Sequence, residues 1–413
     1  MSFAIRGNIV ADLGTKFNLT KEQLGLITGT AFWGFALSTI IGGWLCDVVG
    51  MRTLLILAFV GHAVGIVTTI FANGFATLFL GTLAFGLANG FVEAACNPLI
   101  ATLYPDQKIK RLSMFHMWFP GGIVIDGLLA YFIGTNKIGG ADHWKMQMLT
   151  MVVPLVIYGF MFMGKKFPAT ERSASGVTMG EMFAAVASPL YLILLVCMSM
   201  SAATELVTGQ WMPDILTATA AVPGILILCL INGLMAIGRM FAGEIVHRIS
   251  PIGMLIASSI FSTIGMVLLS RANSGSTALV AAVLFAIGVC FFWPTMLGVV
   301  SERFPRSGAL GMSIMGGIGM LSTAIWLPIV GHFYDDGITK AIPAGKTAEV
   351  LKAAAAGSED AKAWAAAQAA GGRAGLGVLV YLPVILVCIF IALFMYDKSR
   401  GGYKKEVLVQ HQE

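Results

Sequence analysis

Gly43-Trp44-Leu45-Cys46-Asp47-Val48-Val49-Gly50-Met51-Arg52 separates two long apolar runs with one acid, one base and three glycine or small positions that permit a turn. The run before it, Gln23–Leu45, and the run after it, Thr53–Phe71, are each about long enough to cross a hydrocarbon core, which takes about 20 apolar residues in a helix. The segment therefore reads as a tight turn at a membrane surface. Gly43 lets a neighbouring helix come close, and Gly50 accepts a backbone that a side chain would strain. Asp47 is placed to pair with a basic group or a helix N-terminus.

Composition carries the same message along the chain. Of 413 residues, 57% are hydrophobic and only 11% are charged, and the mean hydropathy is +0.84. Soluble domains carry about 25% charged residues, so lipid is the solvent this sequence is built for. The six cysteines, Cys46, Cys96, Cys197, Cys229, Cys290 and Cys388, all fall in apolar stretches without a CxxC pair. They read as small buried hydrophobes, and neither metal nor cofactor is expected. The net charge of +5 comes from short loops and the tail, so nucleic acid is not an expected partner.

Nine further apolar segments follow the same length rule: Thr77–Tyr104, Leu112–Ile133, Met146–Met163, Leu190–Trp211, Gly224–Ile245, Met254–Leu269, Ala278–Val300, Met312–Phe333 and Val378–Tyr396. A displacement of 200 residues lays one half of the chain on the other. Leu83-Ala84-Phe85-Gly86-Leu87-Ala88 falls on Val283-Leu284-Phe285-Ala286-Ile287-Gly288, Pro105 on Pro305, and Gly43 on Gly243. Transporters are commonly built from such repeats. Extending the repeat toward Met1 predicts six helices per half, with the first helix truncated at its N-terminus. The expected units are an N-terminal bundle over 1–164, a linker over 165–187, a C-terminal bundle over 188–397 with an alanine-rich outer loop at 335–373, and a tail over 398–413. For that loop a short surface helix is preferred to a flexible chain.

The loops on one side, with the tail, hold fourteen basic residues, among them Arg52, Lys108, Lys165, Arg248, Arg303 and Lys405, against five in the short loops opposite. By the positive-inside rule that side, and the C-terminus, face the cytoplasm. The expected location is the plasma (inner) membrane, as a multi-pass protein.

The Gly43–Arg52 turn resembles the G-x-L-x-D-x-x-G-x-[RK] signature of the major facilitator superfamily. Gly243-Glu244-Ile245-Val246-His247-Arg248 is a degenerate second copy, and Val48 and Met51 stand where the family carries arginines. The resemblance implies an all-α integral membrane fold of two pseudo-symmetric six-helix bundles, with Gly43, Asp47, Gly50, Arg52 and Arg248 forming the gating motif.

Ionisable groups at membrane depth cost about 2.5–3.5 kcal/mol on insertion scales, so each needs a reason. Asn89, Glu93 and Asn97 recur at four-residue spacing on one helix face, with Pro98 weakening the backbone just beyond. A carboxylate between amides suits hydroxyl recognition, proton exchange or both; the plainer alternative is a neutral packing group. Glu93-Ala94-Ala95-Cys96-Asn97-Pro98 resembles a segment of the fucose:proton symporter family of sugar permeases, in which the acid is implicated in proton coupling and the asparagine belongs to the sugar site. His116, in Phe115-His116-Met117-Trp118-Phe119-Pro120, extends that likeness, and a histidine can bind hydroxyls or relay protons. Thr204-Glu205-Leu206-Val207-Thr208-Gly209-Gln210-Trp211 is also similar to a pattern of that family. An indole face stacks on sugar C–H groups while the glutamine amide bonds hydroxyls. Asn232 and Arg239 share a face, and Arg239 is expected to pair with Glu205. Trp293-Pro294 reads as a gate or a kink, and His62 as a core histidine.

The expected substrate-binding set is thus Asn89, Glu93, Asn97, His116, Gln210, Trp211 and Asn232, with Glu93 and His116 as the proton-coupling pair and Glu205 with Arg239 as a charge pair. The expected function is alternating-access transport of a monosaccharide or related polyol by proton-coupled symport, with sodium as the other candidate ion. The protein would act as a monomer in a lipid bilayer. Two alternatives stand beside it: an organic or inorganic anion transporter using Arg6 and Arg239 as counter-charges, and a non-transporting membrane sensor. An enzyme is not expected, since neither HExxH nor GxSxG occurs.

Overall fold

The computed structural model describes Ile5, Ile9 and residues 12–212, 224–272, 274–355 and 357–408. Arg6, offered above as a counter-charge, lies outside them. Among the described residues every regular element is helical. In chain order the apolar spans are α1 (Glu22–Val49), α2 (Met51–Ile70), α3 (Phe75–Leu103), α4 (Pro105–Thr135), α5 (Gly140–Phe162), α6 (Pro189–Met212), α7 (Leu226–Met240 with Ala242–Ile249, bent by 60°), α8 (Pro251–Ser270), α9 (Gly275–Arg303), α10 (Pro305–Ala341) and α11 (Glu359–Ser399). Residues 12–16 are also helical. Ile5, Ile9 and Leu13, four residues apart and so on one face, are buried against Ile27, Leu78 and Trp144.

Local signals account for the boundaries. Thr20 and Gln23 form a capping box at the start of α1, satisfying amides the helix leaves free. Gly50, at φ 83°, makes the turn between α1 and α2, and its amide still reaches Cys46 O at 3.1 Å. The second half turns at the matching place with Ser250, at φ 65°, whose hydroxyl accepts from Gly253 N.

The 200-residue displacement reappears in three dimensions. α2 and α8 begin and end 200 residues apart. Gly65 meets Phe85 at the α2–α3 crossing, and Gly265 meets Phe285 at α8–α9. Thr39 Oγ1 donates to Gly90 O at 3.3 Å, and Arg239 Nε donates to Cys290 O at 2.8 Å. The two halves thus repeat contacts as well as composition.

Gly265 shows how tight these crossings are. A Cβ there would lie 2.4 Å from Phe285 N, a backbone atom that cannot swing aside. Gly265→Leu is therefore expected to cost at least about 1–3 kcal/mol of overpacking, read as a lowered unfolding temperature in detergent. Gly377→Ala, where nothing lies within 4 Å, should leave that temperature unchanged or slightly raised.

The halves meet at the end of the bundle that carries the Gly43–Arg52 turn, here the motif end. Gly43 faces Ser313, Gly298 faces Ile109, and Gly243 faces the stem of Lys110. Lys108 crosses from the first half to the second: its Nζ donates to Ser301 O at 3.0 Å and to Glu171 Oε2 at 2.6 Å. Asp47 accepts from Thr170 Oγ1 at 2.5 Å and from Arg172 Nε at 3.0 Å. Its basic partner thus comes from the segment joining the halves, while Arg52 and Arg248 are exposed.

The alanine-rich outer loop is shorter than expected. α10 continues to Ala341 and α11 begins at Glu359, with a short helix, Ala348–Lys352, between them. The sequence reading preferred a short surface helix within this alanine-rich segment; here Gly337, Gly371 and Gly375 let the two long helices press together beyond the apolar runs, and Asp336 pairs with Lys340 one turn on.

Candidate functional site between the halves

Three side chains form a hydrogen-bonded row in the first half. Asn97 Nδ2 donates to Glu93 Oε1 at 2.9 Å, the contact that four-residue spacing on α3 allows. Asn97 Oδ1 can then only accept, and it takes a bond from His116 Nε2 at 3.0 Å. That places the histidine proton on Nε2, 3.9 Å from Glu93 Oε1. Trp293 Nε1, from α9 of the second half, donates to the same Glu93 oxygen at 3.1 Å. Glu93 and Trp293 are 200 residues apart, so repeat-related positions meet at the seam.

Arg239 forms the second centre. Its guanidinium is 1% exposed and every nitrogen donates: Nε to Cys290 O at 2.8 Å, Nη1 to His116 O at 2.9 Å and Nη2 to Glu205 Oε1 at 3.1 Å. Two of these acceptors are explained by proline. In a helix the carbonyl of residue i−4 bonds the amide of residue i. Pro120 has no amide for His116 O, and Pro294 has none for Cys290 O. Both helices break there, at Met117 and at Cys290–Phe291. Arg239 therefore closes two helix breaks in opposite halves. Glu205 lies in a π-helical turn, Ala203–Val207, a departure often found at functional positions.

Phe35, Glu93, His116, Phe119, Glu205, Leu206, Arg239, Trp293 and Met320 enclose a cavity between the halves. Water-molecule centres have about 40 Å³ in which to move there, enough for two or three waters and too little for a monosaccharide. The site is contracted in this state.

The other expected site residues lie elsewhere. Asn89 is turned away from the row: its Oδ1 accepts from His62 Nε2 at 3.0 Å, and His62 Nδ1 takes the Tyr158 hydroxyl at 2.7 Å. Each four-residue step advances about 40° around a helix, which carries Asn89 toward α2. Asn232 Nδ2 bonds back to Leu228 O at 2.8 Å. Gln210 is exposed, and Trp211 stacks on Tyr334 with centroids 5.3 Å apart. These last two lie farther from the motif end than Glu205, outside the cavity wall. Trp293, read from the sequence as part of a gate or a kink, lines the cavity, and Phe35, Phe119 and Met320, which the sequence did not single out, line it as well; for the contact of Trp293 with Glu93 the repeat offset was the available signal.

The family model of the Major Facilitator Superfamily matches residues 1–331. The chain belongs to that superfamily. It is an integral, multi-pass membrane protein. Within the superfamily, it is 28% identical over 143 residues to "D-xylose-proton symporter-like 2" of Arabidopsis thaliana, covering 35% of this chain and 28% of that protein. It is 32% identical over 130 residues to "Sodium-dependent glucose transporter 1A" of Mus musculus, covering 32% and 31%. These matches span about three-tenths of the relatives' length. In fold it resembles the E. coli fucose:proton symporter, with TM-score 0.65 and 16% identity over 93% of this chain and 95% of that one. It also resembles a proton:xylose symporter bound to 6-bromo-6-deoxy-D-glucose, with TM-score 0.73 and 15% identity over 95% and 91%. At these identities the likeness is one of fold.

Proposed function

We propose that this protein is a secondary transporter that moves a monosaccharide or related polyol across the membrane by alternating access, as a proton symporter. The observation that carries the reading is the row Glu93–Asn97–His116 with Trp293, a carboxylate, an amide, an imidazole and an indole at a cavity shared by the halves. Amide and imidazole groups bond sugar hydroxyls, an indole covers an apolar sugar face, and a carboxyl beside them can take up a proton. The named relatives that transport sugars support the substrate class.

In the mechanism, solute entering from the side opposite the motif end replaces internal bonds of the row, and the halves rock about it. Protonating Glu93 removes the cost of enclosing a bare carboxylate, about 2.5–3.5 kcal/mol at membrane depth. Gln210 and Trp211 would meet the solute on its way in. The basic loops support a cytoplasmic motif end and C-terminus in the inner membrane, with a monomer as the working unit. The anion reading is less well supported, because Arg239 already satisfies Glu205 and two carbonyls.

Purified protein in liposomes tests the proposal. Uptake of one labelled monosaccharide from a panel should be driven above equilibrium by an inward proton gradient and collapsed by a protonophore. Uptake driven by sodium alone would replace the coupling ion, and uptake of anions only would replace the substrate class.

Closure at the motif end has its own test. A Cβ on Gly43 would lie 2.3 Å from Ser313 Cβ, so Gly43→Leu should disfavour the shut motif end by about 1–3 kcal/mol. That is about a 5–150-fold shift between states, read as raised labelling of cysteines introduced at that end and a matching fall in uptake.

A further inference from the structure

Outside the seam, a groove of about 320 Å³ runs along the first half between α2 and α5 at the motif end. Leu55, Ile56 and Phe59 form one wall, Val156 and Phe160 the other, and Arg52 stands at the mouth. Gly159 makes the groove's floor possible, since the Phe59 ring lies 2.5 Å from where its Cβ would be. Ile56 is 54% and Phe160 69% exposed, so this surface faces the bilayer, where acyl chains cover it.

Lipid contact explains the apolar walls but not the mouth. Arg52 is exposed and pairs with nothing among the described residues. Lys165 and Lys166, both exposed, directly follow the lining residue Gly164. Among the described residues no acid lines the groove, and Asp47, five residues before Arg52, is taken by Thr170 and Arg172. An apolar slot with unneutralised cations at its mouth matches the chemistry of a phosphate ester on a hydrocarbon chain.

We propose that this groove is a binding site for an anionic phospholipid. One acyl chain lies between α2 and α5, and the phosphate rests on Arg52 with Lys165 and Lys166 adding to the field. Because Arg52 follows the Gly50 turn by two residues, the bound lipid braces the connection between α1 and α2. The proposal does not depend on which solute is carried.

Native mass spectrometry of the full-length protein in detergent tests it, with phosphatidylglycerol and phosphatidylcholine of identical chains titrated separately. The intact protein should hold phosphatidylglycerol at least about fivefold more tightly, the contribution of one basic side chain near a lipid surface. Arg52→Gln should bring that preference down to near unity, and Val156→Trp, which fills the slot, should weaken both lipids. Thermal unfolding of each variant confirms that it is folded. Equal binding of the two lipids by the intact protein would overturn the proposal, as would an undiminished preference in a folded Arg52→Gln protein. Displacement of the lipid by glycerol phosphate lacking chains would show a phosphate site alone and would equally count against it.

Discussion

An Arg239→Met protein is expected to lose most of its thermal stability and its transport together. Removing the guanidinium leaves the Glu205 carboxylate buried without its cation, and breaking one side of such a pair costs about 3–5 kcal/mol. Glu205 Oε2 already has no hydrogen-bond partner among the described residues, so no second donor stands ready. The His116 and Cys290 carbonyls lose the Arg239 bonds that close the helix breaks, at about 1–3 kcal/mol for each buried acceptor left bare. Glu205→Met combined with Arg239→Met separates the two contributions. The double variant removes the charge imbalance but not the bare carbonyls, so it should recover only part of the lost unfolding temperature. Full recovery would mean that the proline-freed carbonyls need no donor, and the clamp across the helix breaks would be discarded.

Glu93→Gln is expected to reduce concentrative uptake to simple equilibration while leaving exchange of solute across the membrane within a few-fold of the original. Glutamine keeps an oxygen that can accept from Asn97 and Trp293, so the row survives. What it cannot do is gain and lose a proton, so the proton gradient no longer does work on the solute. Counterflow and uphill uptake, measured on the same liposomes, distinguish this from a collapsed site. Continued accumulation against a gradient would remove Glu93 from coupling. Trp293→Phe supplies a graded comparison: it deletes one donor to a carboxylate, worth about 1.5–3 kcal/mol, and should weaken coupling without abolishing it.

How much of this was legible before folding depends on the distance over which each feature is encoded. The Asn97–Glu93 bond follows from four-residue spacing on one helix, and the Gly50 turn from one residue's freedom at positive φ. The alanine-rich segment was misread at its edges because glycine packing between α10 and α11 is a property of two helices, invisible in either alone. Asn89 was misplaced for a similar reason. Its helix face was known, but not that His62 and Tyr158 would draw it to α2.

Sequence by itself determined that this chain lives in lipid, repeats its design after 200 residues and keeps a few polar groups at membrane depth, because hydrophobic length, local spacing and duplication are all written along one strand of covalent chain. Only the tertiary structure decided which of those groups meet. The rotation of each helix, and hence the approach of Trp293 to Glu93 and of Arg239 to two proline-freed carbonyls in opposite halves, is set by packing between elements far apart in the chain.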